Sequence, residues 1–190
     1  MLFVYRHLFQ LLWFCWIFYW IASASGVKRT AQHESVLSRI IHGTPLWIAI
    51  ILISAPDLGR HGPFAPIWPF SPAVFWLGAL VTLAGFAITV WARVTLGRNW
   101  SGWVTIKENH ELIQTGPYAW VRHPIYTGLI LAFLGSALAR DQWRGAVAVV
   151  LVVIAFRIKL GIEEAWMMRQ FGPNYAAYKK RTKMLVPYIW

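Results

Sequence analysis

Residues 73–92 read AVFWLGALVTLAGFAITVWA, twenty consecutive residues without a charged side chain. A helix needs about 20 mostly apolar residues to cross the hydrocarbon core of a bilayer, so this stretch predicts a membrane-spanning helix. The whole 190-residue chain agrees: 58% of its residues are hydrophobic and 13% are charged, against about 45–50% and about 25% in an average soluble domain. The composition therefore indicates an integral, multi-pass membrane protein and excludes a compact water-soluble domain.

Two further apolar stretches precede this one. Residues 8–24 qualify as a span, and residues 40–55 do so if the helix begins near Val36. Together with residues 73–92 they predict three transmembrane helices within an N-terminal region, residues 1–92.

The C-terminal region, residues 93–190, contains two shorter apolar stretches. Residues 125–139 and 145–158 predict a short helical hairpin, whose polar tip contains Arg140, Asp141 and Arg144. The predicted fold is thus all-α with about five transmembrane helices. In the first arm of the hairpin, small residues recur every fourth position and would let two helix backbones approach closely in lipid: Gly128, Ala132 and Ser136.

The cations predict the orientation of the chain. If the N-terminus is outside, four of the 18 Lys and Arg residues lie outside: Arg6, Arg60, Arg140 and Arg144. The other fourteen lie inside: Lys28, Arg29, Arg39, Arg93, Arg98, Lys107, Arg122, Arg157, Lys159, Arg169, Lys179, Lys180, Arg181 and Lys183. This imbalance predicts a cytoplasmic C-terminus. A competing interpretation takes the start as a signal peptide cleaved after residues 22–24, although Lys28 and Arg29 favour an uncleaved span.

The net charge of +11 also bears on partners. The cations lie between and after apolar stretches and form no basic face on a soluble domain, which favours anionic membrane lipids and excludes nucleic acid as the expected partner. The histidines lack metal-ligand spacing and the lone Cys15 lies in an apolar run, so no metal is expected.

Residues 116–128, GPYAWVRHPIYTG, form the first candidate site. Gly-Pro predicts a turn, His123 is pushed away from helical geometry by the following proline, and Pro124 suits the first turn of a helix. A loop of this kind, entering a membrane helix with free backbone N–H groups, could hold a polar ligand. It could equally be an ordinary helix start flanked by aromatic membrane anchors.

The second candidate site surrounds the adjacent carboxylates Glu163 and Glu164, with Arg157 and Lys159 just before them. Two carboxylates at a membrane boundary are costly unless they are paired or solvated, which makes them functional candidates. A Lys159–Glu163 pair four residues apart would explain one glutamate and not the other. Beyond the Gly172-Pro173 helix break, Tyr175, Tyr178 and the basic residues 179–181 predict an amphipathic surface segment.

These blocks occur in an ordered series over about residues 93–188: LGRNW at 96–100, HELI at 110–113, the 116–128 stretch, Glu163-Glu164, and FGPNYAAY at 171–178. In order and spacing the series resembles the isoprenylcysteine carboxyl methyltransferase family. Its Arg-His-Pro-x-Tyr element is shared more widely, with phospholipid N-methyltransferases and membrane sterol reductases.

The resemblance implies a membrane methyltransferase that binds S-adenosylmethionine in a cytoplasmic pocket. The implied cofactor-binding residues are His110, Glu111, Leu112, Ile113, Tyr118, His123, Pro124, Ile125, Tyr126 and Glu163. Where eukaryotic members place an arginine that holds the substrate carboxylate, this chain has Lys159, with Arg157 close by. The expected catalytic residues are Arg157, Lys159, Glu163 and Glu164.

The expected acceptor is a lipophilic or prenylated substrate that enters from the bilayer. A carboxylate acceptor of isoprenylcysteine type needs no general base, because it is ionised at neutral pH. The main alternative is N-methylation of phosphatidylethanolamine, which requires removal of a proton. An NADPH-dependent membrane reductase and a non-catalytic membrane scaffold are further alternatives, and the short chain argues against the reductase.

Overall fold

The computed structural model of the chain describes residues 2–54, 61–62 and 65–187. Within these ranges the chain forms six α-helices: α1 (Leu2–Ala22), α2 (Val36–Ser54), α3 (Pro72–Leu96), α4 (Pro124–Arg140), α5 (Trp143–Phe171) and α6 (Pro173–Arg181). Two short strands, β1 (Thr30–His33) and β2 (Thr105–Lys107), pair antiparallel. Single 3-10 turns follow α3 and precede α4.

Helices α2, α3 and α5 are long and apolar enough to cross a membrane, with mean hydropathies of 1.8, 2.1 and 2.3 in their most apolar windows. The apolar segments His7–Ala22 and Pro124–Arg140 are shorter. These helices agree with the membrane protein predicted from composition.

Two features differ from the predicted fold. Helix α5 has 29 residues and continues past residue 158, so the second arm of the hairpin is not short. Arg157, Lys159 and the two glutamates therefore lie within the helix, which ends only where Gly172 (φ +48°) and Pro173 stop it. The two-stranded ladder β1–β2 is the second difference, since the prediction was all-α.

The contact between α3 and α4 depends on small residues, as predicted. Ala132 and Ser136 are buried in it. A Cβ atom added at Gly128 would lie 2.5 Å from the carbonyl oxygen of Gly85, and one added at Gly78 would lie 2.5 Å from that of Gly135. The predicted close approach of backbones along this stripe is confirmed.

Helix α1 meets the other helices through aromatic side chains. The indole N–H of Trp13 donates to Ser136 Oγ (3.0 Å), and that of Trp16 donates to Thr89 Oγ1 (2.8 Å). Trp13 also packs edge-on against Phe86 and Phe133. Phe133 belongs to an apolar core that α2, α4 and α5 form from Ala49, Ile53, Phe133, Ala148, Val152 and Phe156.

Candidate active site

A cavity of about 1260 Å³ lies between the helices and extends to the loops that follow α3. One part is apolar and is lined by α1, α2 and α4, including Trp13, Ile17, Leu46, Ile50 and Phe133. The other part is polar and includes His110, Tyr118, His123, Tyr126, Lys159 and Glu163. Ligand pockets usually measure about 300–1,000 Å³, so this cavity is larger than a typical pocket for one small molecule.

The loop before α4 is held by the C-terminal tail. Backbone N–H groups of Arg122 and His123 donate to the carbonyls of Lys183 (2.9 Å) and Met184 (3.1 Å). Gly116 begins the loop with φ +58°, a conformation that L side chains rarely adopt. This pairing places Tyr118 and His123 at the cavity wall and Pro124, fully buried, behind it at the start of α4.

Glu163 faces the cavity from α5. Its Oε1 accepts a hydrogen bond from the Tyr126 hydroxyl, and its Oε2 lies 3.6 Å from His123 Nδ1. The side chain is 20% exposed, so the carboxylate is sheltered but reachable. Tyr126 also packs against Phe156 of the apolar core, so the Glu163 carboxylate has both polar and apolar neighbours at the cavity.

Glu164 lies on the other edge of the His123 ring, whose Nε2 is 3.5 Å from Glu164 Oε1, and it forms a buried ion-pair network. Its Oε1 accepts from Arg122 Nε (2.7 Å) and Nη2 (2.6 Å), and its Oε2 lies 2.7 Å from Lys179 Nζ. Arg122 belongs to the loop before α4 and Lys179 to α6. Glu164 thus fastens both of these elements to α5, and it does not line the cavity.

The two cations before the glutamates also separate. Lys159 lines the cavity, where its ammonium donates to the Gly102 carbonyl (2.7 Å) and lies 5.6 Å from the centre of the Tyr126 ring. Arg157 is exposed and is not among the lining residues. Residues 159 and 163 share a helix face because they are four apart, whereas residue 157 is rotated away from it.

The segment after β2 forms another wall. His110 accepts a hydrogen bond at Nδ1 from the Lys107 backbone N–H (3.3 Å). Burial, followed by the positive charges of Lys28 and Lys107, lowers the pKa of His110, so the imidazole is neutral at pH 7. A hydrogen bond from Asn99 (3.0 Å) and then the Lys28 ammonium (3.2 Å) lower the pKa of Glu111, which remains charged.

Most of the site residues expected from the sequence meet in this one cavity. Nine of the ten expected cofactor-binding residues line it: His110, Glu111, Leu112, Ile113, Tyr118, His123, Ile125, Tyr126 and Glu163. Pro124 does not. Of the four expected catalytic residues, Lys159 and Glu163 line the cavity, whereas Arg157 and Glu164 do not.

The surface location expected for Tyr175 and Tyr178 is wrong. Both are buried and line the cavity, and the Tyr178 hydroxyl donates to the Tyr118 carbonyl (2.7 Å). Burial raises the pKa of Tyr178 to about 12, so it stays protonated at neutral pH. The i, i+3 spacing of two tyrosines directly after a Gly-Pro break was the available signal, because such residues share one helix face.

A family model described as "Phospholipid methyltransferase" matches residues 73–174. The chain belongs to this family. Its relatives include the protein-S-isoprenylcysteine O-methyltransferase of Rattus norvegicus, 31% identical over 128 residues that cover 64% of this chain and 45% of the relative. The corresponding protein of Saccharomyces cerevisiae is 29% identical over 116 residues, covering 60% and 48%.

A third relative of the chain has a different name. The cobalt-zinc-cadmium resistance protein CzcN of Cupriavidus metallidurans is 27% identical over 166 residues, covering 82% of this chain and 71% of that protein. The chain spans about half the length of the protein-S-isoprenylcysteine O-methyltransferases that it matches.

A solved structure has the same fold. The eukaryotic intramembrane Ras methyltransferase ICMT (isoprenylcysteine carboxyl methyltransferase) aligns with a TM-score of 0.56 and 22% identity, over 82% of this chain and 54% of that one. The resemblance to the isoprenylcysteine carboxyl methyltransferase family, predicted from the motifs, is confirmed by these relatives.

Proposed function

We propose that this chain is a membrane methyltransferase that transfers a methyl group from S-adenosylmethionine to a carboxylate on a lipophilic acceptor of isoprenylcysteine type. The observation that carries the proposal is the position of Glu163. It accepts a hydrogen bond from Tyr126, lies 3.6 Å from His123, and lines the same cavity as the polar residues His110–Ile113 and the apolar tryptophan, leucine and isoleucine side chains. A donor and a lipid-like acceptor could meet there.

The polar wall fits a cationic methyl donor. The residues that would hold it are the nine expected cofactor-binding residues that line the cavity. Pro124 would fix the start of the helix behind them. Glu163 offers a negative charge, and His110 adds no positive charge because its pKa is lowered. The donor supplies a methyl group on a good leaving group, so the protein has mainly to align donor and acceptor and to exclude water.

The apolar part of the cavity supports a lipophilic acceptor. A carboxylate acceptor is already ionised at neutral pH and needs no general base. Lys159 is the cation best placed to orient it, since its ammonium lies at the cavity wall and donates there to the Gly102 carbonyl. Arg157, on the exposed face, is proposed as a membrane anchor and not as a catalytic residue.

Glu164 is proposed as a positioning residue. Its bonds to Arg122 and Lys179 hold the loop that carries His123 and the helix that carries Tyr175. Both side chains border the cavity, so the effect of Glu164 on the reaction would be transmitted through them.

The proposed membrane arrangement has five spans, with α1 and α4 crossing in addition to the three longer helices. The catalytic region, residues 93–190, would place its pocket at the cytoplasmic face. This orientation is supported by the fourteen Lys and Arg residues that it places in the cytoplasm. The segments that carry these cations also carry His110, His123 and Glu163, so the pocket would lie on the same side.

N-methylation of a phospholipid amine is the second candidate. It is favoured by the description of the matching family model. An amine acceptor must lose a proton, and Glu163 is the carboxylate that could accept it.

Calorimetry on the purified protein in detergent tests the proposed cofactor. We expect S-adenosylmethionine and its demethylated product to bind with measurable heat and to raise the melting temperature, whereas NADPH has no effect. Binding of NADPH alone would instead support a reductase, and binding of none of the three would support a scaffold.

A further inference from the structure

The connector between α1 and α2, residues 23–35, packs against a segment of the candidate site, although none of its residues lines the cavity and it precedes the region matched by the family model, residues 73–174. The Lys28 backbone N–H donates to the Arg98 carbonyl (2.9 Å), and the Glu108 N–H donates to the Arg29 carbonyl (3.0 Å). Strand β1 then pairs with β2. The connector therefore lies along the segment that leads to His110.

The side chain of Lys28 binds three groups at once. Its ammonium donates to the Asn109 carbonyl (2.6 Å) and to Asn99 Oδ1 (2.9 Å), and it lies 3.2 Å from Glu111 Oε2. Hydrogen bonds from a charged donor are roughly twice as strong as neutral ones. Lys28 thus joins three separate points of the loop segment 97–111.

One of these points is a strained turn. Asn109 has φ +50°, in the left-handed region that non-glycine residues seldom occupy. The turn reverses the chain after β2 and brings His110 and Glu111 to the cavity wall. A cation on the Asn109 carbonyl stabilises this turn directly.

A plain surface ion pair would be a weaker explanation. Glu111 is 67% exposed, and exposed pairs contribute little to stability. The Lys28 side chain, however, is only 19% exposed, and two of its three partners are uncharged groups of the turn and of Asn99. The geometry suits a residue that fixes the path of the loop.

We propose that Lys28 is a positioning residue for the methyl donor: by binding Asn109, Asn99 and Glu111 together, it holds the turn that presents His110 and Glu111 to the cavity. This inference rests on the proposed function, because it assumes that the donor occupies the wall formed by residues 110–113. It assigns a functional role to a part of the chain that carries no family motif.

The test compares donor affinity in three variants by calorimetry with S-adenosylmethionine and with its demethylated product. Lys28→Met removes the ammonium and should weaken both affinities about tenfold or more. Lys28→Arg keeps a charged donor and should recover most of the loss. Arg29→Met is the matched control, since it removes the adjacent exposed cation, and its affinities should stay within about twofold of the wild type.

A KM comparison separates positioning from general damage. With Lys28→Met, the KM for the donor should rise about tenfold while the KM for the acceptor stays within about threefold. The apolar part of the cavity, proposed for the acceptor, is lined by α1, α2 and α4 and not by the loop that Lys28 binds. Equal increases in both constants, or no rescue by Lys28→Arg, would show a merely structural role and overturn the proposal.

A second pair of variants tests the turn without touching Lys28. Asn109→Gly suits a positive φ and keeps the carbonyl, so its donor affinity should be unchanged. Asn109→Val strains the turn and should weaken donor binding as Lys28→Met does. If the wild type binds the donor and Lys28→Met or Asn109→Val binds it equally well, the inference is wrong and the proposed function stands. If the wild type does not bind it, the proposed function itself fails.

Discussion

Neutralising Glu163 and neutralising Glu164 should change two different properties of the protein, although the residues are adjacent. Glu164 is 6% exposed and is bonded to Arg122, which is equally buried, and to Lys179, which is 46% exposed. Glu163 is 20% exposed and faces the cavity. We expect Glu164→Gln to lower stability and Glu163→Gln to lower donor affinity.

The size of each effect follows from burial. Removing one partner of a buried ion pair leaves an uncompensated charge and costs about 3–5 kcal/mol, so Glu164→Gln should lower the free energy of unfolding by that amount. Lys179→Met breaks only the half-exposed bond and should cost less than about 1 kcal/mol. Glu163→Gln keeps an acceptor for the Tyr126 hydroxyl and should change stability by less than about 1 kcal/mol.

The loss at Glu163 should appear in binding. A hydrogen bond to a charged group is worth about 1.5–3 kcal/mol, which corresponds to a roughly ten- to hundredfold rise in Kd for S-adenosylmethionine. The demethylated product keeps the same hydrogen-bonding groups, so its Kd should rise by a similar factor. Glu108→Gln removes an exposed carboxylate and serves as the control.

Denaturant unfolding in detergent and calorimetry measure the two quantities separately. The reasoning is refuted if Glu164→Gln is as stable as the wild type, or if Glu163→Gln binds the donor unchanged while Glu164→Gln remains folded and loses it.

Two further predictions concern packing and protonation. Gly128→Ala should lower the free energy of unfolding by about 1–3 kcal/mol, because its Cβ would meet the Gly85 carbonyl. The control Gly161→Ala should leave the free energy of unfolding unchanged or raise it, since nothing lies within 4 Å of its added Cβ. Equal changes in the free energy of unfolding for the two variants would contradict the close α3–α4 contact. Because the pKa of His110 is lowered by burial and neighbouring lysines, the unfolded chain binds this proton at a higher pH than the folded one. The free energy of unfolding should therefore fall as the pH drops below about 6.5, and His110→Gln should reduce that dependence; an unchanged dependence would contradict the neutral imidazole.

The sequence predicts those features that depend on local pattern. Apolar length indicated the helices, and the four-residue spacing of Gly128, Ala132 and Ser136 indicated the α3–α4 contact, because both properties need no knowledge of distant residues. The ordered motifs likewise identified most residues that line the cavity.

Features set by helix rotation could not be predicted. Neighbouring residues on a helix point about 100° apart, so Glu163 and Glu164 need not face the same cavity. Which one does so depends on Arg122 and Lys179, whose positions come from other elements. The same rotation separates Arg157 from Lys159.

Two other features depended on long-range contacts. The basic residues 179–181 indicated an exposed segment, although one face of α6 is packed against the bundle through Tyr175 and Tyr178. Lys28 gave no local signal, since its partners lie 71 to 83 residues later in the chain. From the sequence alone, a cation after an apolar stretch predicts only the orientation of the chain in the membrane.

Methyl transfer from radiolabelled S-adenosylmethionine into a lipid extract tests the central claim most directly. The extract would be incubated with the purified protein at a donor concentration near the wild-type Kd, with Glu163→Gln as the comparison of weakened donor affinity, and then treated with mild base. A carboxyl methyl ester releases its label as volatile methanol under base, whereas an N-methyl group keeps it. The account predicts volatile label that depends on Glu163. Base-stable label in a phospholipid headgroup would contradict the carboxylate acceptor, and the absence of any transferred label would contradict the methyltransferase itself.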